Sequence, residues 1–104
     1  MKNQLKSFQA KYLRGLAHKL KPVVIVGQRG VSESLITSID QALTDHELIK
    51  VKFVEFKEKE AKQAIVQEVE KRTGAQSAGM IGHTAILFRH NPETEKQKIR
   101  LPQK

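Results

Sequence analysis

The chain has 104 residues, 38% apolar and 29% charged, a make-up that suits one folded domain and excludes both a disordered chain and a pair of domains. With no cysteine it has no disulfide, thiolate metal site or cysteine nucleophile, and no apolar run approaches the roughly 20 residues of a membrane helix. Its net charge of +8 is local: residues 1–32 hold Lys2, Lys6, Lys11, Arg14, Lys19, Lys21 and Arg29 with no acid, whereas residues 33–104 hold 12 basic and 11 acidic side chains.

Such an asymmetry makes a positive field that attracts polyanions, nucleic acid first and an anionic membrane surface second. The opening MKNQLKSFQAKYLRG lacks the unbroken apolar segment of a signal peptide, so a cytoplasmic protein is expected. Leu5, Phe8, Tyr12, Leu13, Leu16 and Leu20 recur at spacings of three and four, which predicts an amphipathic helix over about residues 5–20, ended by Pro22. The same period lines up Gln4, Ser7, Lys11, Arg14 and His18 on the opposite face, with Lys19 and Lys21 near its end. Cations in a last turn suit the helix dipole by about 0.3–1 kcal/mol, but Lys11 stands too far from that end to benefit.

Residues 23–26 are an apolar β-branched run between Pro22 and Gly27, as expected of a strand buried on both faces. Ser32 is placed to cap a helix reaching about residue 45, with Leu35, Ile36, Ile39, Ala42 and Leu43 on one side. In the following strand Ile49, Val51 and Phe53 alternate with Lys50 and Lys52. A third helix over about residues 58–72 is expected to bury Ala61, Ala64, Ile65, Val66 and Val69, with Gly74 as its stop. Residues 79–81 and 85–88 then read as strands joined through Gly82-His83, a pairing that suits a II′ turn. Residues 91–104, opened by Asn91-Pro92, read as a loop and an extended charged tail.

The order α-β-α-β-α-β-β predicts a single-domain α/β sandwich with a core over about residues 5–90. Strands separated by helices are expected to pair in parallel, and the last hairpin adds an antiparallel edge, giving a mixed four-stranded sheet.

Gly27-Gln28-Arg29-Gly30 joins a strand end to a helix start, where unpaired N–H groups and the helix dipole favour an anion. Glycines let another backbone approach closely, and Arg29 adds five donors suited to phosphate oxygens. These are the parts of a KH-like phosphodiester clamp, although two glycines three apart also mark ordinary tight turns. Neither a Walker loop nor a dinucleotide fingerprint has its required spacing here. The four histidines show no i, i+4 pair and no HExxH, so no metal or cofactor is expected. Asp45-His46-Glu47 and His83 read as turn residues, and Ser32 and Ser34 as caps rather than nucleophiles, since no GxSxG surrounds them. Aromatics at 5% argue against a stacking sheet, which assigns Phe53, Phe56 and Phe88 to the core.

The stretches YLRGLAHKLKPVVIVGQRGVSES, HELIKVKF and RTGAQSAGMIGHTAILFR resemble the CRM domain family (chloroplast RNA splicing and ribosome maturation), and the length resembles its stand-alone bacterial YhbY-type members. The resemblance runs from about Leu5 to Leu101. It implies a fold similar to the C-terminal domain of translation initiation factor three, a non-enzymatic RNA-binding role, and association with ribosomal RNA in precursors of the large subunit. Its GxxG loop corresponds to Gly27, Gln28, Arg29 and Gly30, and its basic helix to Lys11, Arg14, His18, Lys19 and Lys21. Lysine is common after the first glycine in related proteins; Gln28 departs from this and leaves Arg29 as the loop's cation. The expected protein is a monomer that binds RNA through these residues and has no membrane partner. A DNA-binding module is the alternative, though no groove-reading motif is visible, and an enzyme acting on a phosphorylated metabolite through His18 is a more distant one.

Overall fold

In chain order the elements are α1 (Ser7–Ala17), β1 (Val24–Val26), α2 (Glu33–His46), β2 (Leu48–Phe53), α3 (Lys59–Thr73), β3 (Gln76–Ile81) and β4 (Thr84–Phe88), followed by a short 3-10 turn, Thr94–Lys96. The computed structural model describes residues 5–103; Lys2, Gln4 and Lys104 lie outside them. Local chemistry fixes several boundaries. Ser32 Oγ accepts the Leu35 N–H at 3.1 Å and starts α2. Gly74, at φ +78, closes α3 by donating its N–H to the Glu70 carbonyl at 2.9 Å. In the β3–β4 connection Gly82 takes φ +59 and His83 does not take a positive φ, which suits a II′ corner.

The sheet is mixed and four-stranded, in the order β1-β2-β4-β3. β1 and β2 are parallel, and β4 is antiparallel to both β2 and β3. Thus β2 and β3, joined through α3, are not neighbours as the crossover expectation had them; β4 lies between. The reason is burial: Ala85, Ile86, Leu87 and Phe88 are all buried, facing alternate sides, which demands a central position. β3 carries Gln76, Ser77 and Gly79 and tolerates the edge. β1 is likewise an edge strand rather than one buried on both faces. Val24 and Val26 are inside, but Ile25 is 59% exposed, because α1 covers β2, β4 and β3 and leaves that end of the sheet open.

Two apolar layers flank the sheet. On one face α2 and α3 pack Ile39, Leu43, Val66 and Val69 against Val26, Val51, Phe53 and Leu87. On the other, Leu13 and Ala17 of α1 meet Leu48, Ala78, Ile86 and Phe88. Each fully buried large side chain stabilises the fold by about 1.5–3 kcal/mol. The inward stripe of α1 is Ala10, Leu13 and Ala17, small enough for close approach, whereas Tyr12, Leu16 and Leu20 remain about 40% exposed instead of facing the core. The helix also stops at Ala17, short of residue 20. Lys50 Nζ takes up the Leu20 and His18 carbonyls at 3.0 and 3.5 Å, and Pro22 forbids continuation. On α3, Ala64 is exposed and Lys62 is buried in its stead, its Nζ donating to the Gly82 carbonyl at 2.9 Å. Phe56 is not in the core either; it lies in the loop after β2, 42% exposed.

Glu47, which follows α2 at φ +64, is 1% exposed. Its Oε2 accepts the Asn91 N–H at 2.7 Å, and its Oε1 accepts those of Lys98 and Ile99 at 2.7 and 2.9 Å. One carboxylate therefore straps the C-terminal segment to the body, where Ile99 and Leu101 pack on the α1-side core and Gln9 Nε2 donates to the Pro102 carbonyl at 3.2 Å.

Candidate nucleic-acid interface

The Gly27–Gly30 segment leaves the open end of β1 and enters α2. It is closed by the Gly30 N–H donating to the Gly27 carbonyl at 3.0 Å, which lifts Gln28 and Arg29 into solvent. The two glycines differ. Gly30 sits at φ +59, and a methyl group there would stand 3.3 Å from the Phe56 ring, so the fold itself asks for glycine. Gly27 has no positive φ, and no heavy atom lies within 4 Å of where its Cβ would be. Nothing in the chain's own packing requires that space to be empty.

A cleft of about 460 Å³ runs beside the loop, between the outer edge of β1 and the first turns of α2; Arg29, Ser32, Ser34 and Ser38 line it together with Ile25 and Gly27. Ser32 Oγ is used by the helix cap, whereas Ser34 and Ser38 are exposed. Glu33, the acid that shares this helix start, is turned toward Arg72 of α3, with its Oε2 2.5 Å from Nη2. Its charge is partly offset there.

The α1 residues divide. Lys11, His18, Lys19 and Lys21 are exposed, and among the described residues Lys11, Lys19, Lys21 and Arg29 have no ion-pair or side-chain hydrogen-bond partner. Arg14 is half-buried and engaged. A bulge between Ser77 and Gly79 turns the Ala78 carbonyl toward α1, Arg14 Nη1 donates to it at 2.7 Å, and Gly79, at φ +140, leaves room for the arginine stem. Arg14 is thus a staple between α1 and β3 as well as a cation on the Lys11 flank.

Two lysines that the loop-and-helix expectation did not include lie between these groups. Ile49, Val51 and Phe53 face α2 and α3, so Lys50 and Lys52 face the α1 side of the sheet. Lys50 ties the end of α1, and Lys52, paired in register with Ile25, is exposed without a partner among the described residues. The period-two alternation of β2 marked both as outward. It could not say that their face is the one α1 shares. Lys50 thus stands at the end of α1, and Lys52 beside β1, the strand that leads into the GQRG loop. Among the described residues no group of three or more His, Cys, Asp or Glu is placed to hold a metal ion, and no helix is long and apolar enough to cross a membrane.

Residues 5–89 match the model of the CRS1/YhbY (CRM) domain. The chain is similar to an RNA-binding protein of Haemophilus influenzae, at 42% identity covering 96% of this chain and 97% of that one. It is also similar to the Bacillus subtilis protein YqeI, at 35% identity covering 90% and 95%. Its fold is similar to the solution structure of a Staphylococcus aureus protein, with a TM-score of 0.81 and 30% identity, covering 95% of this chain and all of the other.

Proposed function

This chain belongs to the CRS1/YhbY (CRM) domain family, and from that premise we propose that it is a non-enzymatic RNA-binding protein whose partner is ribosomal RNA in large-subunit precursors. It acts in ribosome assembly as a single cytoplasmic domain spanning the whole chain. A phosphodiester sits against Gly27 and the start of α2, with Arg29 as the charged donor and Gln28 as a neutral one. Lys11, Arg14, His18, Lys19, Lys21 and Lys52 extend the contact along the backbone of a folded RNA. Most of the affinity is electrostatic, from counterions released when these cations meet phosphates.

One observation carries this reading: among the described residues the exposed cations of the first 32 positions have no ion-pair partner, while the loop among them keeps open a space the fold does not need. Crosslinking in cells followed by sequencing of the attached RNA is expected to recover large-subunit ribosomal RNA above all other classes; recovery of messenger or transfer RNA in its place would refute the partner. In vitro, Arg29→Ala should weaken binding to RNAs of unrelated sequence alike and lower the slope of log affinity against log salt by about 1. A complex indifferent to salt would refute the mode of binding.

A further inference from the structure

Phe56 takes φ +56, a left-handed conformation that a bulky side chain adopts only when its surroundings hold it there. The GQRG loop is one such surrounding: the Cε2–Cζ side of the ring is seated against Gly30, at 3.3 and 3.4 Å from the position of a Cβ there. Yet the residue belongs to neither core cluster and stays 42% exposed, while Phe53 three residues earlier is 1% exposed and closes the core at that end. The chain thus holds an aromatic residue of strained backbone against the second glycine of the GQRG loop and leaves that residue 42% exposed. Burial explains only the contacted side. The exposed residues flanking it, Glu55, Lys57, Glu58, Lys59 and Glu60, add no net positive charge, so attraction for phosphate at this spot comes from the GQRG loop.

We propose that Phe56 is a base-stacking platform beside the clamp. When the loop holds a phosphate, the adjoining unpaired base stacks on the open surface of the ring. This rests on the RNA-binding reading above and adds to it a preference for unpaired nucleotides at this spot, because a base in a duplex is already stacked and cannot turn onto the ring. Base–aromatic stacking tolerates any base, so the platform selects for single-strandedness rather than for sequence.

The chain has no tryptophan, so F56W places the only indole at the site. The probe is an RNA hairpin with a wide unpaired loop, titrated into the full chain. F56W fluorescence should be quenched as the hairpin binds. F56L, which keeps an apolar group against Gly30 but has no ring, should bind it roughly 5- to 100-fold more weakly than wild type. Its salt slope should stay unchanged, since no charge is lost, whereas R29A flattens that slope. F56Y should bind as wild type does. If F56L matches wild type while R29A is weakened, or if the F56W indole is unquenched at saturation, Phe56 only buttresses the loop and the stacking proposal falls with the RNA-binding reading intact. If wild type itself does not bind the hairpin, both fall.

Discussion

Arg89 and Arg29 are the same side chain put to opposite uses. Arg89, just after β4, donates to the Asp40 carboxylate at 2.6 Å, to the carbonyls of Thr73 and Asp40 at 2.7 and 3.0 Å, and to the Thr44 hydroxyl at 3.0 Å. It ties α2 to the end of α3. Arg29, at the crest of the GQRG loop, has no such partner among the described residues. The contrast extends to whole regions. Beyond residue 32, six of the eleven cations among the described residues are engaged by the fold: Arg89, Lys50 at the end of α1, Lys62 on the hairpin turn, Arg72 with Glu33, Lys96 with Glu93 and Lys98 on the Asp45 carbonyl. In the first third, among the described residues, only Arg14 is. Charge satisfied within a chain stabilises that chain; charge left unsatisfied and exposed is available to a partner.

The largest effect expected on the folded side of this contrast is at Glu47. Glu47→Ala strands three partly buried N–H groups and frees the C-terminal strap, which should cost about 3 kcal/mol in urea unfolding. A loss under 1 kcal/mol would mean that the strap is held by its apolar contacts alone. Arg89→Ala should follow, at about 2 kcal/mol, with RNA affinity per folded molecule unchanged. A drop in affinity larger than that of Arg29→Ala would abolish the distinction between the two arginines.

The glycines sharpen it within one loop. Gly30→Ala meets both φ +59 and the Phe56 ring and should destabilise by about 1–2 kcal/mol, whereas Gly27→Ala should leave the melting temperature unchanged and weaken RNA binding. Equal stability losses at the two positions would show that the space at Gly27 serves the fold. The smallest effect is expected at Lys52: Lys52→Ala should lower affinity roughly fivefold at moderate salt without changing stability, read by anisotropy across a salt series. No change there would remove the sheet face from the interface.

How much of this was legible beforehand varied with the range of the interaction. Ser32 as a cap, Gly74 as a stop, the Gly82-His83 turn and the inward set Ile49, Val51 and Phe53 were all readable, because each depends on neighbours a few residues away. From its neighbours alone Glu47 reads as a turn residue. Its partners lie more than forty residues on, and nothing local distinguishes an acid that will accept three distant N–H groups from one that will face water.

The sequence by itself determined the elements, their order, the family resemblance and the concentration of positive charge in the first third, since periodicity, capping and composition are properties of short stretches. Only the tertiary structure decided which cations are engaged, that β4 rather than β3 sits beside β2, that Arg14 is a staple on a bulged strand, and that Phe56 lies in solvent against Gly30. Those outcomes depend on which surfaces meet. A residue's exposure and partners are settled by the packing of distant segments, which no local pattern records.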